Sequence, residues 1–418
     1  MITERCCRVC GGELDTVLNW GTLALSDFPL PDETPKGTAP FDFCTCRLCG
    51  LVQLRHTVDP DALFRRYFYR SSVNEVMQAE LRDIVRQACD RVRSWHTSDL
   101  VVDIGANDGE LLRHYRDYGP QGLIRVAFEP ALNFNEVLHR HCDVLVPQYF
   151  PQGLAQAHGM EGRVKVLTSI AMVYACDDPL AVVAAADALL TPDGVWILQF
   201  QDLAAMLRQT AFDNITPEHL WYPSLAAIER LLTDTNLHVV AAERRAINGG
   251  SLRLCLQRRD QPVALSVEPM RVAEAGCEAW DTLQRFAWRV SERVAQIQGL
   301  VQHLQREGRT VDLYGASTKA NTLLQVCDLG PALVRQAWER TDEKVGRRTV
   351  TGIPIVSEAT GRAGPPDALV CGIWQFRDAI LQREAAYLAS GRPLIFPLPA
   401  VEVVQERPVV AAAILEDR

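Results

Sequence analysis

From about residue 100 the chain alternates short apolar runs with amphipathic ones. LVVDIGAN, IRVAFEP, VKVLTSI and GVWILQF are brief and rich in β-branched or aromatic residues, as strands are. GELLRHYRDYG and PLAVVAAADALL, between them, have helical spacing of apolar positions. Such alternation predicts βαβ units, a parallel sheet with helices on both faces. HVVAAERRAINGGSLRLCLQR reads as a closing β-hairpin, and a long helix is predicted over roughly 267–306. TVDLYGAS, KANTLLQVC, ALVCGIW and RPLIFPLP then resume the alternation in a second, smaller α/β unit. Ahead of the first strand, DPDALFRRYFYRSSVNEVMQAELRDIVRQACDRV reads as helical, with Asp59 or Asp61 as cap and Pro60 in the first turn. The first 60 or so residues are turn-rich, with a loop around DFPLPDETPKGTAP.

Length and composition narrow the choices. At 418 residues the chain is long enough for two or three domains. Apolar residues at 48% and charged residues at 23% suit a globular protein with a proper core, not a disordered one. The net charge of −9, without a basic run, argues against a general nucleic-acid binder. No apolar run is long enough to span a membrane, and MITERCCRVC has no apolar core of a secretory signal. Cys89, Cys142, Cys176, Cys255, Cys277, Cys327 and Cys371 are scattered singly, which suits reduced thiols and a cytoplasmic location.

The other six cysteines lie within the first 49 residues. Cys7-x-x-Cys10 and Cys46-x-x-Cys49 are two CxxC pairs, each followed by glycine. The two-residue gap lets both thiolates of a pair face one point, and two pairs complete a tetrahedral four-thiolate site suited to Zn²⁺. Cys6 and Cys44 lie beside the pairs as alternative ligands. Four thiolates close the site, so the metal is expected to be structural and to supply folding energy to a lobe with little core of its own. A pair of reactive dithiols is the other reading of the same spacing.

VVDIGANDGELL runs from strand to helix through Asp103, Gly105, Asn107, Asp108 and Gly109. Its glycines admit a close ligand. The loop is acidic, unlike the dinucleotide fingerprint that meets a pyrophosphate. About twenty residues on, Glu129 ends the next strand, placed to accept both hydroxyls of a ribose. An acidic loop with this carboxylate suits S-adenosylmethionine (SAM), a cation with a free ribose; a purely structural Gly-rich turn is the plain alternative.

With these motifs in order, the chain resembles the zinc-containing, SAM-dependent C-methyltransferases that act on nucleotide-linked 4-keto deoxysugars. The resemblance covers nearly the whole chain. It rests on the CxxC pairs with CRLCGLVQL, YFYRSSVNEVMQAEL, VVDIGANDGELL, AFEPALN, PEHLWYPS, INGGSLRL, LYGASTKANTLLQ, EKVGRRTVTGIPIVS and IWQFRDAIL. It implies an α/β protein in three parts: a zinc-binding lobe at 1–65, a Rossmann-like class I SAM methyltransferase core with an N-terminal helical lid at 66–265, and a smaller Rossmann-like α/β domain at 266–418 that helps hold the nucleotide sugar. It implies a role in deoxysugar and antibiotic biosynthesis, a small-molecule substrate, no nucleic acid or membrane partner, and a monomer or weak dimer.

By the same resemblance Gln148, Tyr149 and Phe150 fall where the third strand ends near the adenine. Tyr67 and Tyr69, followed by Ser71, match an aromatic motif that lids the active site. Glu218 and His219 match an acidic–histidine pair whose histidine acts as base. Asn248, Gly249 and Gly250 match the loop before the closing strands. Ser317 and Lys319, at a helix start, suit an anion such as phosphate, or a plain βα turn. Lys344, Arg347 and Arg348 are either solvated or face a diphosphate. Two places depart from the family: Thr216 and Pro217 replace Tyr or Cys and then His, and Cys176 stands where a histidine is frequent. They leave open which sugar and which carbon are involved. They also keep two rivals in play: an O- or N-methyltransferase of secondary metabolism, and an inactive protein that binds SAM and zinc. From the residues alone, His219 also suits a structural histidine bonded to backbone, and Tyr67 and Tyr69 suit packing between lobes.

Overall fold

The computed structural model describes residues 2–157 and 159–405. The chain falls into two compact units. The first takes residues through Thr22, then Ala39–Leu207 and Pro217–Arg285; the second takes Leu23–Thr38, Arg208–Thr216 and the chain from Phe286 onward.

In the first unit the strands run in chain order as β1 (Ile2–Glu4), β2 (Leu14–Ala24), β3 (Thr38–Cys46), β4 (Val52–Leu54), β5 (His56–Val58), β6 (Leu100–Ile104), β7 (Ile124–Phe128), β8 (Val144–Val146), β9 (Val164–Ile170), β10 (Leu190–Gln201), β11 (Trp221–Tyr222), β12 (Leu237–Arg245) and β13 (Ser251–Arg258). Among the described residues, seven form the main sheet in the order β12-β13-β10-β9-β6-β7-β8. β10, β9, β6, β7 and β8 are parallel, and the expected hairpin β12–β13 closes the edge antiparallel. LVVDI of β6 is buried throughout, as a central strand covered on both faces must be. From β6 the chain steps to β7 and β8, then returns to β9 on the other side. The strand ends beside that reversal form the crevice where open α/β sheets bind ligands.

The cysteine-rich region has more core than expected. A second sheet runs β11-β4-β3-β2, so β11 comes from far along the chain and pairs with β4 as Trp221↔Gln53 and Tyr222↔Val52. Cys7, Leu14, Cys44, Cys46 and Leu51 share one buried cluster with Val102, Phe128, Leu167 and Trp221 of the methyltransferase region. The lobe therefore packs as part of the first unit and borrows its core.

Two predicted helices are broken. The stretch read as helical before β6 divides into a helix Pro60–Phe64, a 3-10 turn Ser71–Val73 and a helix Glu75–Arg91. Asp59 caps the first of these with Pro60 at its start, and Asn74 caps the last. The YFYR segment between them spends backbone groups on side chains elsewhere, which a helix forbids. The predicted helix over 267–306 is two helices, Val267–Glu274 and Trp280–Arg306, separated at Gly276 with φ +76°.

In the second unit β14 (Val311–Tyr314), β15 (Ala337–Glu339), β16 (Ile355–Ser357), β17 (Ala368–Cys371), β18 (Leu394–Phe396) and β19 (Glu402–Val404) form a sheet ordered β16-β15-β14-β17-β18-β19. It is parallel except for β19. The Leu23–Thr38 segment belongs here: Asn321 Nδ2 donates to the Asp27 carbonyl at 3.0 Å, Gln325 bonds both backbone groups of Ala24, and the Arg348 N–H donates to the Pro29 carbonyl. No helix among the described residues is long and apolar enough to cross a membrane.

Candidate functional site

Cys7, Cys10, Cys46 and Cys49 bring their four Sγ atoms within 4.8 Å of one another. Cys7 and Cys49 approach to 3.5 Å, and Cys10 and Cys46 to 3.4 Å. Metal–sulfur bonds of about 2.3 Å place tetrahedral ligands at roughly this spacing. The turns add N–H donors: Val9 to Cys7 Sγ, Leu48 and Cys49 to Cys46 Sγ. Against the pull of burial, those last two hold the Cys46 thiol below its ordinary value, while burial holds the Cys7 and Cys49 thiols above theirs. The donor set fits Zn²⁺. Cys44 is buried, its Sγ turned to the Asp42 carbonyl and Thr16, and neither it nor Cys6 joins the cluster.

The acidic loop lies at the end of β6. Gly105 has φ +73°, and a Cβ there would meet Met172 at 3.1 Å, so glycine is required. Asp103 is buried and accepts from Thr168 Oγ1 at 2.6 Å. Glu129, at the end of β7, accepts from the backbone N–H of Asn107 at 2.7 Å and of Ala131 at 2.8 Å. Each carboxyl is pushed up to about 7, first by burial and then by another carboxylate: Glu129 acts on Asp103, and Asp108 on Glu129. Asp108 is buried too, and its Oδ1 has no hydrogen-bond partner among the described residues. Three buried carboxylates drawn together in this way suit a cationic ligand, and the residues present fit SAM.

Two outcomes follow. Glu129→Ala should weaken SAM binding by about 1.5–3 kcal/mol, the range for a hydrogen bond to a charged group; unchanged affinity by calorimetry would place the ribose elsewhere. The second concerns pH. The folded values near 7 lie above the ordinary 3.8 and 4.5, so the ligand-free fold retains protons the unfolded chain has released. The stability they contribute is full below about pH 4 and lost as pH rises through about 7. A cation prefers the ionised forms. SAM should therefore bind more tightly as pH rises through 7 and release protons on binding at about pH 6.5. Calorimetry in buffers of different ionisation enthalpy measures that release, and identical heats in all buffers would disprove it.

The aromatic segment reaches the same loop. Asn133 brackets Tyr67 through its N–H and carbonyl, and Asn107 does the same for the Ser71 N–H and the Tyr69 carbonyl. Ser72 donates to Asp108 from both its N–H and its hydroxyl, the latter at 2.6 Å. Burial, then the charge of Glu218, holds the Tyr67 phenol well above its usual range, with Tyr174, Tyr69 and Glu129 also acting on it. Glu218 sits in a turn and His219 in irregular chain just before β11, not at a helix start. The His219 ring meets Tyr174 edge-on, with centroids 4.4 Å apart. Tyr174, from the loop after β9, is buried and escaped the sequence reading; only the strand–loop pattern of MVYACDD pointed to it. Cys176, in the same loop, has its thiol pushed up to about 12 by burial and nearby Asp178 and Asp177, so it stays protonated at neutral pH.

The remaining residues divide. Phe150 is buried edge-on to Phe128, and Tyr149 donates to Asp61 beneath the Arg65 guanidinium. Gln148 follows β8, its N–H bonded to the Val146 carbonyl. Asn248 and Gly249 form a short turn before β13, with the Asn248 carbonyl accepting from Gln201. Ser317 and Lys319 lie in the second unit. Ser317 caps the helix Thr318–Val326, and burial, offset by the Asp213 carboxylate, lowers Lys319. Lys344 donates to the Ala316 carbonyl with its ammonium over the Phe28 ring, and Arg347 donates to the Phe28 carbonyl.

This sheet order and carboxylate-lined loop agree with a family match: residues 64–242 fit the model of a methyltransferase domain, and the protein is a SAM-dependent methyltransferase. Residues 7–64 match a "Putative zinc binding domain", and residues 246–399 a C-methyltransferase C-terminal domain. The chain belongs to the C-methyltransferase family: it is 31% identical over 412 residues to the C-methyltransferase NovU of Streptomyces niveus, covering 95% of this chain and 96% of that one. Among solved structures, the CurJ carbon methyltransferase is 12% identical with a TM-score of 0.35, over 45% of this chain and 55% of its own. A 1,6-didemethyltoxoflavin-N1-methyltransferase of Burkholderia thailandensis is 14% identical with a TM-score of 0.32, over 50% and 96%. Scores this low carry no conclusion.

Proposed function

We propose that the protein methylates carbon on a nucleotide-linked keto-deoxysugar, most simply a dTDP sugar, within deoxysugar and antibiotic biosynthesis. Membership of the C-methyltransferase family supports this. So does the neighbourhood around Tyr67, whose phenol feels both Glu218, beside His219, and Glu129 of the cofactor loop. The family match over nearly the whole chain carries the reading.

Carbon becomes nucleophilic when a ketone acidifies the neighbouring C–H. His219 takes that proton, and the C–H electron pair passes into the enolate. Tyr67 or Tyr69, kept protonated, donates a hydrogen bond to the enolate oxygen. Glu218 balances the imidazolium that forms. When bound, SAM supplies the electrophilic methyl group and its sulfonium accepts the electrons of the broken C–S bond. Asp103, Asp108 and Glu129 hold the cationic ligand in place, and the four cysteines hold a structural zinc. Asn248, Gly249, Ser317 and Lys319 are assigned to the sugar nucleotide, and the three parts at 1–65, 66–265 and 266–418 to metal, methyl transfer and substrate. The thiols suit the reducing cytoplasm.

Incubation with methyl-labelled SAM and a panel of dTDP-linked keto sugars tests this. Label on carbon supports it. Label on oxygen or nitrogen, or none despite SAM binding, overturns it.

A further inference from the structure

Arg8 lies between two of the clustered cysteines, yet its side chain is only 1% exposed. A buried guanidinium must satisfy several donors, and the partners of this one come from two other segments. Arg8 donates to the Leu54 carbonyl at 2.6 Å, to Thr57 Oγ1 at 2.7 Å and to Asp177 Oδ1 at 3.2 Å. Thr57 in turn donates to Asp177 at 2.5 Å, and Arg5 also pairs with Asp177. The Arg8 N–H donates to Gln53 Oε1, and Gln53 returns a bond to the Cys6 carbonyl.

Both segments that Arg8 grips end on the residue after His219. The Leu54 N–H donates to the Leu220 carbonyl at 2.9 Å. The loop carrying Asp177 presents the Tyr174 carbonyl to the Leu220 N–H, also at 2.9 Å, and the Cys176 carbonyl to the Trp221 indole at 3.2 Å. Tyr174 places its ring against His219. The two backbone groups of Leu220 are thus held by two elements that meet at one guanidinium.

We propose that Arg8 is a positioning residue for His219, acting through Leu54 and through the Asp177–Tyr174 loop. This rests on His219 being the base, and it gives the cysteine knuckle a task beyond holding a metal: it fixes the geometry of the catalytic segment. The guanidinium reaches Asp177, Leu54 and Thr57 from three separate nitrogens, Nε, Nη1 and Nη2, a span that the single nitrogen of an ammonium does not cover.

The test uses the full-length, zinc-loaded protein with ¹³C at histidine Cε1, each sample saturated with S-adenosylhomocysteine. The His219 signal is identified by its loss in His219→Asn. In Arg8→Lys with zinc retained, that signal should move or broaden, since it reports the Tyr174 ring, while that of exposed His303 stays. A purely structural Arg8 would lower the melting temperature and leave the His219 signal in place, and that result overturns the proposal. Asp177→Asn lies outside the cysteine knuckle and should move the same signal; it decides the matter if Arg8→Lys sheds zinc. With a keto sugar that turns over, kcat should fall about 10- to 100-fold in both variants with KM and SAM affinity near wild type, as for a misplaced catalytic group. If wild type methylates no carbon on any sugar of the panel, the proposed function fails, and the spectra still decide the role of Arg8.

Discussion

Replacing His219 with asparagine should abolish turnover and leave SAM affinity near wild type. Loss of a general base alone costs about 10²- to 10⁴-fold in rate. Apart from the Asp103 and Glu129 carboxyls, which are assigned to the cationic cofactor, the surroundings offer few substitutes near neutral pH. Tyr67 and Tyr174 are phenols held above their usual range by burial, and the Cys176 thiol is pushed up to about 12. Thr216 and Pro217, just upstream, bring no base. Of the other histidines, His114 is buried against Glu110 at 3.2 Å. Exchange of deuterium at the carbon beside the ketone needs only deprotonation, so it should fall with turnover. An asparagine variant that exchanges and methylates at near wild-type rate would make His219 structural and send the search for a base to Tyr67, Tyr69 and Glu218.

Cys46→Ser should lose the metal, and the damage should spread beyond the knuckle. Structural zinc contributes about 10–16 kcal/mol in isolated zinc-finger peptides. Here Cys7 and Cys46 are buried with Val102, Phe128 and Trp221, Cys49 packs against them, and β4 pairs with β11 just after His219. Loosening the knuckle therefore disturbs the central core and the catalytic segment together. We expect one zinc per wild-type chain, none in the variant, and a melting midpoint lower by about 10 °C or more, equivalent to a few kcal/mol in a unit of this size. A zinc-free variant that melts and turns over like wild type would refute this.

Local chemistry was legible in the sequence where spacing alone defines a geometry. The CxxC pairs name four ligands, and VVDIGANDGELL with Glu129 names a strand end and its acids. The strand–helix alternation gives the sheet, because burial on both faces writes a continuous apolar run. Legibility failed where partners are distant along the chain. Nothing in the spacing around Arg8 singles it out, because its partner Asp177 arrives from 169 positions away. Tyr174 looks like one more aromatic in a loop. The YFYR segment lies inside a stretch that reads as helical, but the side chains of Asn133 and Asn107 claim its backbone. One left-handed glycine, Gly276, divides a helix that apolar periodicity would have run straight through.

The chain passes between the two compact units five times, at 22/23, 38/39, 207/208, 216/217 and 285/286. Dissection of this protein into expressible pieces is therefore a poor strategy. A fragment stopped at Arg285 would still carry Leu23–Thr38 and Arg208–Thr216. It would lack Asn321 and Gln325, which bond the first segment, and Trp374, whose indole donates to buried Asp213 in the second. Phe28, 1% exposed in the whole chain, would face water. Such a fragment should associate with itself, and co-expression with the missing portion should restore solubility.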